Sequence, residues 1–196
     1  MIEKLALYSA NFFAEKNAYA AEKIPTYKYG FELLISTLIN IFFISIISLV
    51  THKTIDILFF CLAFIPLRSA AGGFHAKHHW SCILSFIVVL VGCVTFLKTV
   101  SLEISNVYAL CLAILSVIIV WKIAPVEPNN KPLSNSQRCT QQKKSRIIVI
   151  INLILSLLFF TINIITLKQL FVFYISGAFI ASLSLIVAKI LEYHSK

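Results

Sequence analysis

The chain has 196 residues, 59% of them hydrophobic and 13% charged, with a mean hydropathy of +0.90. Soluble domains run at roughly 45–50% apolar and about 25% charged. Here the excess lies in long uninterrupted runs, which excludes a soluble globular domain and predicts an all-α polytopic membrane protein, one domain over 1–196.

Taken in order, residues 2–22 are too often interrupted by Glu and Lys to cross a bilayer. Yet Ile2, Leu5, Tyr8, Phe12, Phe13 and Tyr19 recur at near-helical spacing, predicting an amphipathic helix within 1–25 that lies in the cytoplasmic interface or packs on the bundle. Pro25 breaks it. The bundle itself is expected over 30–191. A first span runs from about Gly30 to Val50, long enough at ~1.5 Å per residue to cross the hydrocarbon core. Spans follow at 55–67 (short, and ending at Pro66), 82–97, 107–121, 147–167 and 170–191, giving about six transmembrane helices. Between the fourth and fifth lies the hydrophilic segment 122–146, read as a basic cytoplasmic loop with a proline-rich start, Ala124-Pro125-Val126-Glu127-Pro128.

Lys and Arg set the orientation. The N-terminal segment carries four, the second connection two, the fourth six and the C-terminus two, against one in each of the first, third and fifth. That bias predicts both termini cytoplasmic. It also accounts for the formal charge of +9 without nucleic acid, which is not expected as a partner. The five cysteines show no paired spacing and predict no disulfide framework. Cys61, Cys93 and Cys111 sit in apolar runs, where cysteine behaves as a small hydrophobe. The opening residues lack the apolar core of a signal peptide, so no cleaved leader is expected.

The stretch from Arg68 to Cys82 crowds basic, glycine and histidine residues between two apolar segments, on the predicted cytoplasmic side where thiols stay reduced. His75 and Cys82 are the candidate dyad, histidine supplying thiolate character to the nucleophile. On one helix, i and i+7 stand about 10 Å apart along the axis, too far for a proton-transfer contact of roughly 3 Å. A dyad therefore requires a break between them. Gly72-Gly73 can make that turn and offer backbone N–H groups to an oxyanion. Arg68 offers a fork for a carboxylate, although Arg68 and Lys77 also fit as membrane-edge anchors. A rival reading places a metal on His75, His79 and Cys82, within a non-enzymatic metal-binding protein or small transporter. No His-Glu-x-x-His pattern and no carboxylate in the stretch supports it. Cys139, beside Arg138 and near Lys143 and Lys144, is a second candidate thiol, but its segment has no histidine. Asp56 and Glu32 are possible orienters of His75.

These residues carry a resemblance. Arg68-Ser-Ala-Ala-Gly72-Gly73-Phe-His75-Ala-Lys77, with Cys82 seven residues after the histidine, resembles the accessory gene regulator B (AgrB) family of quorum-sensing membrane endopeptidases. Ala124-Pro-Val-Glu-Pro-Asn-Asn-Lys-Pro-Leu133 and Tyr29-Gly-Phe-Glu32 are similar to the family as well. The resemblance implies a cysteine endopeptidase with Cys82 as nucleophile and His75 as base and acid, and no cofactor or metal. Its substrate would be a small AgrD-type pro-peptide with an amphipathic leader, a Cys or Ser core and an acidic tail. Removal of the tail would leave an acyl-thioester that closes to a thiolactone or lactone. Arg68, Gly72, Gly73 and Lys77 would serve substrate or oxyanion, with Arg68 on the tail carboxylate. Lys131, Arg138, Lys143, Lys144 and Arg146 would attract the acidic tail. Membrane lipid and a homodimer partner are implied too, in a bacterial cell membrane.

Overall fold

The computed structural model describes residues 2–16, 24–72, 79–99, 105–126, 134–161 and 165–194. They form seven helices: α1 (Ile2–Lys16), α2 (Ile24–Thr51), α3 (Thr54–Ala71), α4 (His79–Thr99), α5 (Ser105–Ile123), α6 (Asn135–Thr161) and α7 (Ile165–His194). Three stretches, Ile24–Thr51, Thr54–Ala71 and Leu167–Ile190, are long and apolar enough to cross a membrane; Ile83–Leu97 and Val107–Ile123 are shorter apolar helices. An all-helical chain of this kind is consistent with a membrane protein.

Contacts divide the chain into two units, Met1–Thr51 with Ala76–Val89, and His52–His75 with Leu90–Lys196. In the first, α1 packs on the start of α2. Ala6 and Ala10, one turn apart, are fully buried, and the Phe13 ring meets Tyr27 edge-on at 5.3 Å. Leu5, Tyr8 and Phe12 project outward from α1 as an exposed apolar stripe.

The second unit is built around α7, which lies against α3 and α5, while α6 packs on α5 and α3. Ala109, Leu112 and Ala113 of α5 bury against Phe171, Val172 and Ile175 of α7. Small residues let helices approach closely where lipid supplies no hydrophobic drive between them. Gly177, Ala178, Ala181 and Ser182 form such a strip on α7, and a Cβ on Gly177 would stand 2.3 Å from the Phe60 carbonyl oxygen of α3.

Helix α6 shows the inverse pattern of a soluble helix. Ile147, Ile150, Ile151, Ile154, Leu157 and Leu158 face outward, and Ser145, Val149, Asn152 and Ser156 face in. Polar groups point to the bundle because lipid cannot satisfy them. The Tyr174 hydroxyl donates to Asn152 Oδ1 at 2.7 Å, linking α7 to α6. Asn152 Nδ2 is buried without a partner among the described residues, so Tyr174→Phe would leave that amide wholly unpaired. The expected loss is about 0.6–1.7 kcal/mol, the range for interhelical hydrogen bonds in membranes, read as a lower midpoint in detergent unfolding.

Several expected boundaries are corrected. The second span does not stop at Pro66: α3 continues to Ala71. Proline removes one helical hydrogen bond, but Leu67, Ala70 and Ala71 beyond it are buried, and that packing carries the helix on. Nor is 122–146 a loop throughout, since α6 begins at Asn135, twelve residues before the expected span. The fifth span was expected to reach 167 and the sixth to start at 170, whereas α6 ends at Thr161 and α7 starts at Ile165.

Candidate functional site

The end of α3 carries Arg68 in its last turn, where a cation complements the helix dipole. The guanidinium carbon lies 5.6 Å from the centre of the Phe64 ring, one turn back. Gly72 then caps the helix. Its φ of 79° lies in the left-handed region that glycine enters without steric cost, and its N–H donates to the Arg68 carbonyl at 3.0 Å. That N–H was expected to serve an oxyanion; in the structure it belongs to the helix cap.

A second constraint meets the same turn. The Val126 N–H donates to the Ala71 carbonyl at 3.0 Å, and Gly72 forms an isolated parallel bridge with Val126. A Cβ at position 72 would lie 2.3 Å from the Val126 carbonyl oxygen. Both the backbone angle and the close approach therefore require glycine. Ala124, Pro125 and Val126 are buried, and the Ala124–Pro125 bond is cis.

The basic end of α6 lies beside this corner of α3. Its start is a capping box: the Gln137 N–H donates to Ser134 Oγ at 3.3 Å, and the Ser134 N–H to Gln137 Oε1 at 3.1 Å. From there Arg138, Lys143 and Lys144 stand exposed on helical backbone. An open groove of about 360 Å³ is lined by Pro66, Ser69 and Ala70 of α3 and by Gln141, Lys144, Ile147 and Ile148 of α6. Lys144 lines it, while Lys143, one residue away and so turned by about 100°, does not. Arg146 faces α5 instead, its guanidinium carbon 4.8 Å from the Trp121 ring centre. Among the described residues expected to attract the tail, Lys144 alone lines this groove.

Gly73, His75, Lys77 and Lys131 lie outside the described residues. Cys82 is the fourth residue of α4, and its side chain is likewise outside the described set, as are the side chains of the metal reading. Helix α3 ends at Ala71 with Gly72 as its cap, and α4 starts at His79; the expected break between His75 and Cys82 falls on connecting residues outside the described set. Asp56 sits at the far end of α3 from Arg68, paired with Lys53 Nζ at 3.0 Å and near Gln169 Nε2 at 3.5 Å. Glu32 pairs with Lys28 at 3.7 Å. Cys61 and Cys93 are buried, Cys111 and Cys139 exposed.

Sequence reasoning passed over Val126, Trp121 and the Ser134–Gln137 cap. The cap carries a local signal, Ser-x-x-Gln; the other two depend on partners distant in sequence.

The family model for AgrB, accessory gene regulator B, matches residues 6–190. The chain is 31% identical to an AgrB-like protein of Clostridium perfringens (strain SM101 / Type A) over 151 residues, 74% of this chain and 70% of that one. It is 28% identical to AgrB-like protein 2 of Clostridium perfringens (strain 13 / Type A), with the same coverage. Protein FsrB of Enterococcus faecalis (strain ATCC 47077 / OG1RF) is 31% identical over 130 residues, 66% of this chain and 54% of FsrB. No solved structure matches. With a match running nearly end to end, the chain belongs to the accessory gene regulator B family, and so to quorum-sensing systems of that type.

Proposed function

We propose that the protein is a membrane cysteine endopeptidase that removes the acidic tail of an AgrD-type pro-peptide and cyclises its core. In this reading α2 to α7 are six spans, α1 lies at the cytoplasmic interface, and both termini face the cytoplasm of a bacterial cell. The observation that carries the reading is the family match over 6–190 together with Cys82 at seven residues from His75.

The chemistry runs in two acyl transfers. Cys82 Sγ gives its proton to His75 and attacks the carbonyl at the core–tail junction. His75 returns the proton to the leaving amine, the C–N bond breaks, and the tail departs, leaving a thioester on Cys82. The core's own thiol (or hydroxyl) then attacks that thioester, expelling the Cys82 thiolate and closing a thiolactone (or lactone). Thioester exchange keeps the activation of the bond, which direct attack of a peptide thiol on an amide would not achieve. Water must be excluded from the acyl-enzyme, and a site at the membrane edge suits that need. Arg68 is assigned to the tail carboxylate, and the protein works as a homodimer.

The test is to trap the intermediate. Purified protein is incubated with a pro-peptide whose cyclising Cys or Ser is replaced by Ala, and intact mass is measured. The expected result is a hydroxylamine-sensitive adduct of core mass on Cys82. An adduct on Cys139 instead, or tail release without any adduct on Cys82, would overturn the assignment.

The basic start of α6 gives a second expectation. Lys144→Glu should raise KM for the pro-peptide about five-fold at low salt with kcat little changed, because it reverses a charge facing the acidic tail. Charges act over roughly 10 Å at 0.1 M salt and about 3 Å at 1 M. The KM difference should therefore shrink as salt rises. A difference that persists unchanged in 1 M salt would rule out electrostatic attraction.

A further inference from the structure

We propose that Val126, in the Ala124-Pro125-Val126 strap, is a positioning residue for peptide processing: its backbone clamps the α3–Gly72 corner and so fixes where the catalytic segment begins. The inference rests on the proposed endopeptidase function. Residues 71 and 72 lie more than fifty positions before Val126, yet the structure ties Ala71 to it by a hydrogen bond and Gly72 by a backbone approach too close for a side chain.

A helix end does not need this much. Gly72, at φ 79°, already returns its N–H to Arg68, which caps α3 by itself. The strap adds a second tie: the Val126 N–H takes up the carbonyl of Ala71, and its own carbonyl stacks against the Gly72 Cα. Ala124 and Val126 are 6% and 9% exposed, so the strap is seated in the protein and cannot slide. What it holds is the junction between Arg68, four residues before Gly72, and His75, three residues after it. Three residues span at most about 11 Å of chain, so a shift of the corner passes into the catalytic segment with little room to dissipate. Catalytic groups need placement within about 0.5 Å, and a displacement of 1 Å costs on the order of a hundred-fold in rate. Among the described residues the strap's backbone meets Ala71 and Gly72, so it acts through the Gly72 corner.

The test removes the N–H alone. Val126 is replaced by its α-hydroxy acid, α-hydroxyisovaleric acid, which keeps the side chain and exchanges the amide for an ester. Val126→Pro, a genetically simpler variant, also lacks the donor. Tail release is measured on folded, detergent-purified protein, with kcat and KM determined separately and unfolding followed in parallel. The expected result for the ester variant is a fall in kcat of about a hundred-fold with KM within three-fold of the parent. Unchanged kcat per folded molecule, even with reduced thermal stability, would overturn the inference and leave the bond purely structural. A rise in KM at constant kcat would overturn it too, since the strap would then serve binding. Cys82→Ala is run alongside: if tail release survives it, the endopeptidase reading itself fails, whatever the Val126 variants do.

Discussion

Replacing Cys82 with alanine is expected to reduce tail release by about 10⁴-fold or more while the pro-peptide still binds. Removal of the nucleophile or base of a hydrolytic triad loses roughly 10⁴ to 10⁶ in kcat, and what remains comes from binding and transition-state dipoles. His75→Ala should fall in the same range, because it loses both the base, leaving the thiol only a few per cent thiolate near neutral pH, and the acid that protonates the leaving amine. The two should not add: the double variant is expected to be no slower than the worse single one, since base and nucleophile act as a unit. Iodoacetamide labelling provides an independent readout. With His75 gone, Cys82 should label more slowly near pH 7 and recover as pH approaches the ordinary thiol range. Equal labelling in both proteins would separate His75 from the thiol and dissolve the dyad.

Much of this was legible because polar residues are rare in the chain. In a sequence that is 59% hydrophobic, a run holding Arg68, two glycines, three histidines and Cys82 stands out against its flanks. The apolar runs on each side mark helices by length alone, since a helix satisfies its own backbone in lipid. The requirement for a break between His75 and Cys82 follows from helical rise; the structure shows α3 capped at Gly72 and α4 opening at His79, and His75 lies outside the described residues. Helix ends were less legible, because contacts outside the run set them. Pro66 reads as a stop, yet Leu67 and Ala71 are buried at 0% and 1% exposure and keep α3 wound past it. The Lys and Arg residues of 138–146 read as a loop, although Ser134-x-x-Gln137 announces a helix start, and long cationic side chains are tolerated on an exposed helix end.

The role of Gly72 had no local signature. A Gly-Gly pair suggests a turn, and nothing nearby in sequence points to Val126 as the group filling the space where a Cβ would sit. A single parallel bridge between residues so far apart is a tertiary choice. It joins the described parts of two stretches that separately carry the family resemblance, Arg68–Gly72 and Ala124–Val126, into one structural corner. The groove between Ser69 and Lys144 belongs to that same region of α3 and α6. Arg68, the strap and the first exposed lysines of α6 are thus neighbours through packing, despite spanning nearly eighty residues of chain.

Gly177→Ala is expected to destabilise the protein, and by more than its single added methyl suggests. Placing alanine in a helix ordinarily gains about 1 kcal/mol over glycine. At position 177 the new Cβ would meet the Phe60 carbonyl oxygen at 2.3 Å, its carbon at 3.1 Å and its Cα at 3.2 Å. All three are backbone atoms of α3, so no side chain can rotate aside and the helices themselves must part. Overpacking of a tight core costs about 1–3 kcal/mol, and separating α3 from α7 also loosens Phe60, Ala178 and Ala181, each buried to within 1%. The net expectation is a loss of about 1–2 kcal/mol, equivalent to several degrees in Tm for a chain of this size. Gly92→Ala is the matched comparison: a Cβ there meets nothing within 4 Å, so propensity alone acts and Tm should hold or rise. Opposite signs at two helical glycines would establish that contact, and not propensity, governs position 177. Phe60 lies three turns before Gly72 on the same helix, so a displaced α3 should also strain the Val126 clamp and lower kcat. If Gly177→Ala proved as stable as the parent, the close approach of α3 and α7 would be wrong, and with it the platform on which the Arg68 corner rests.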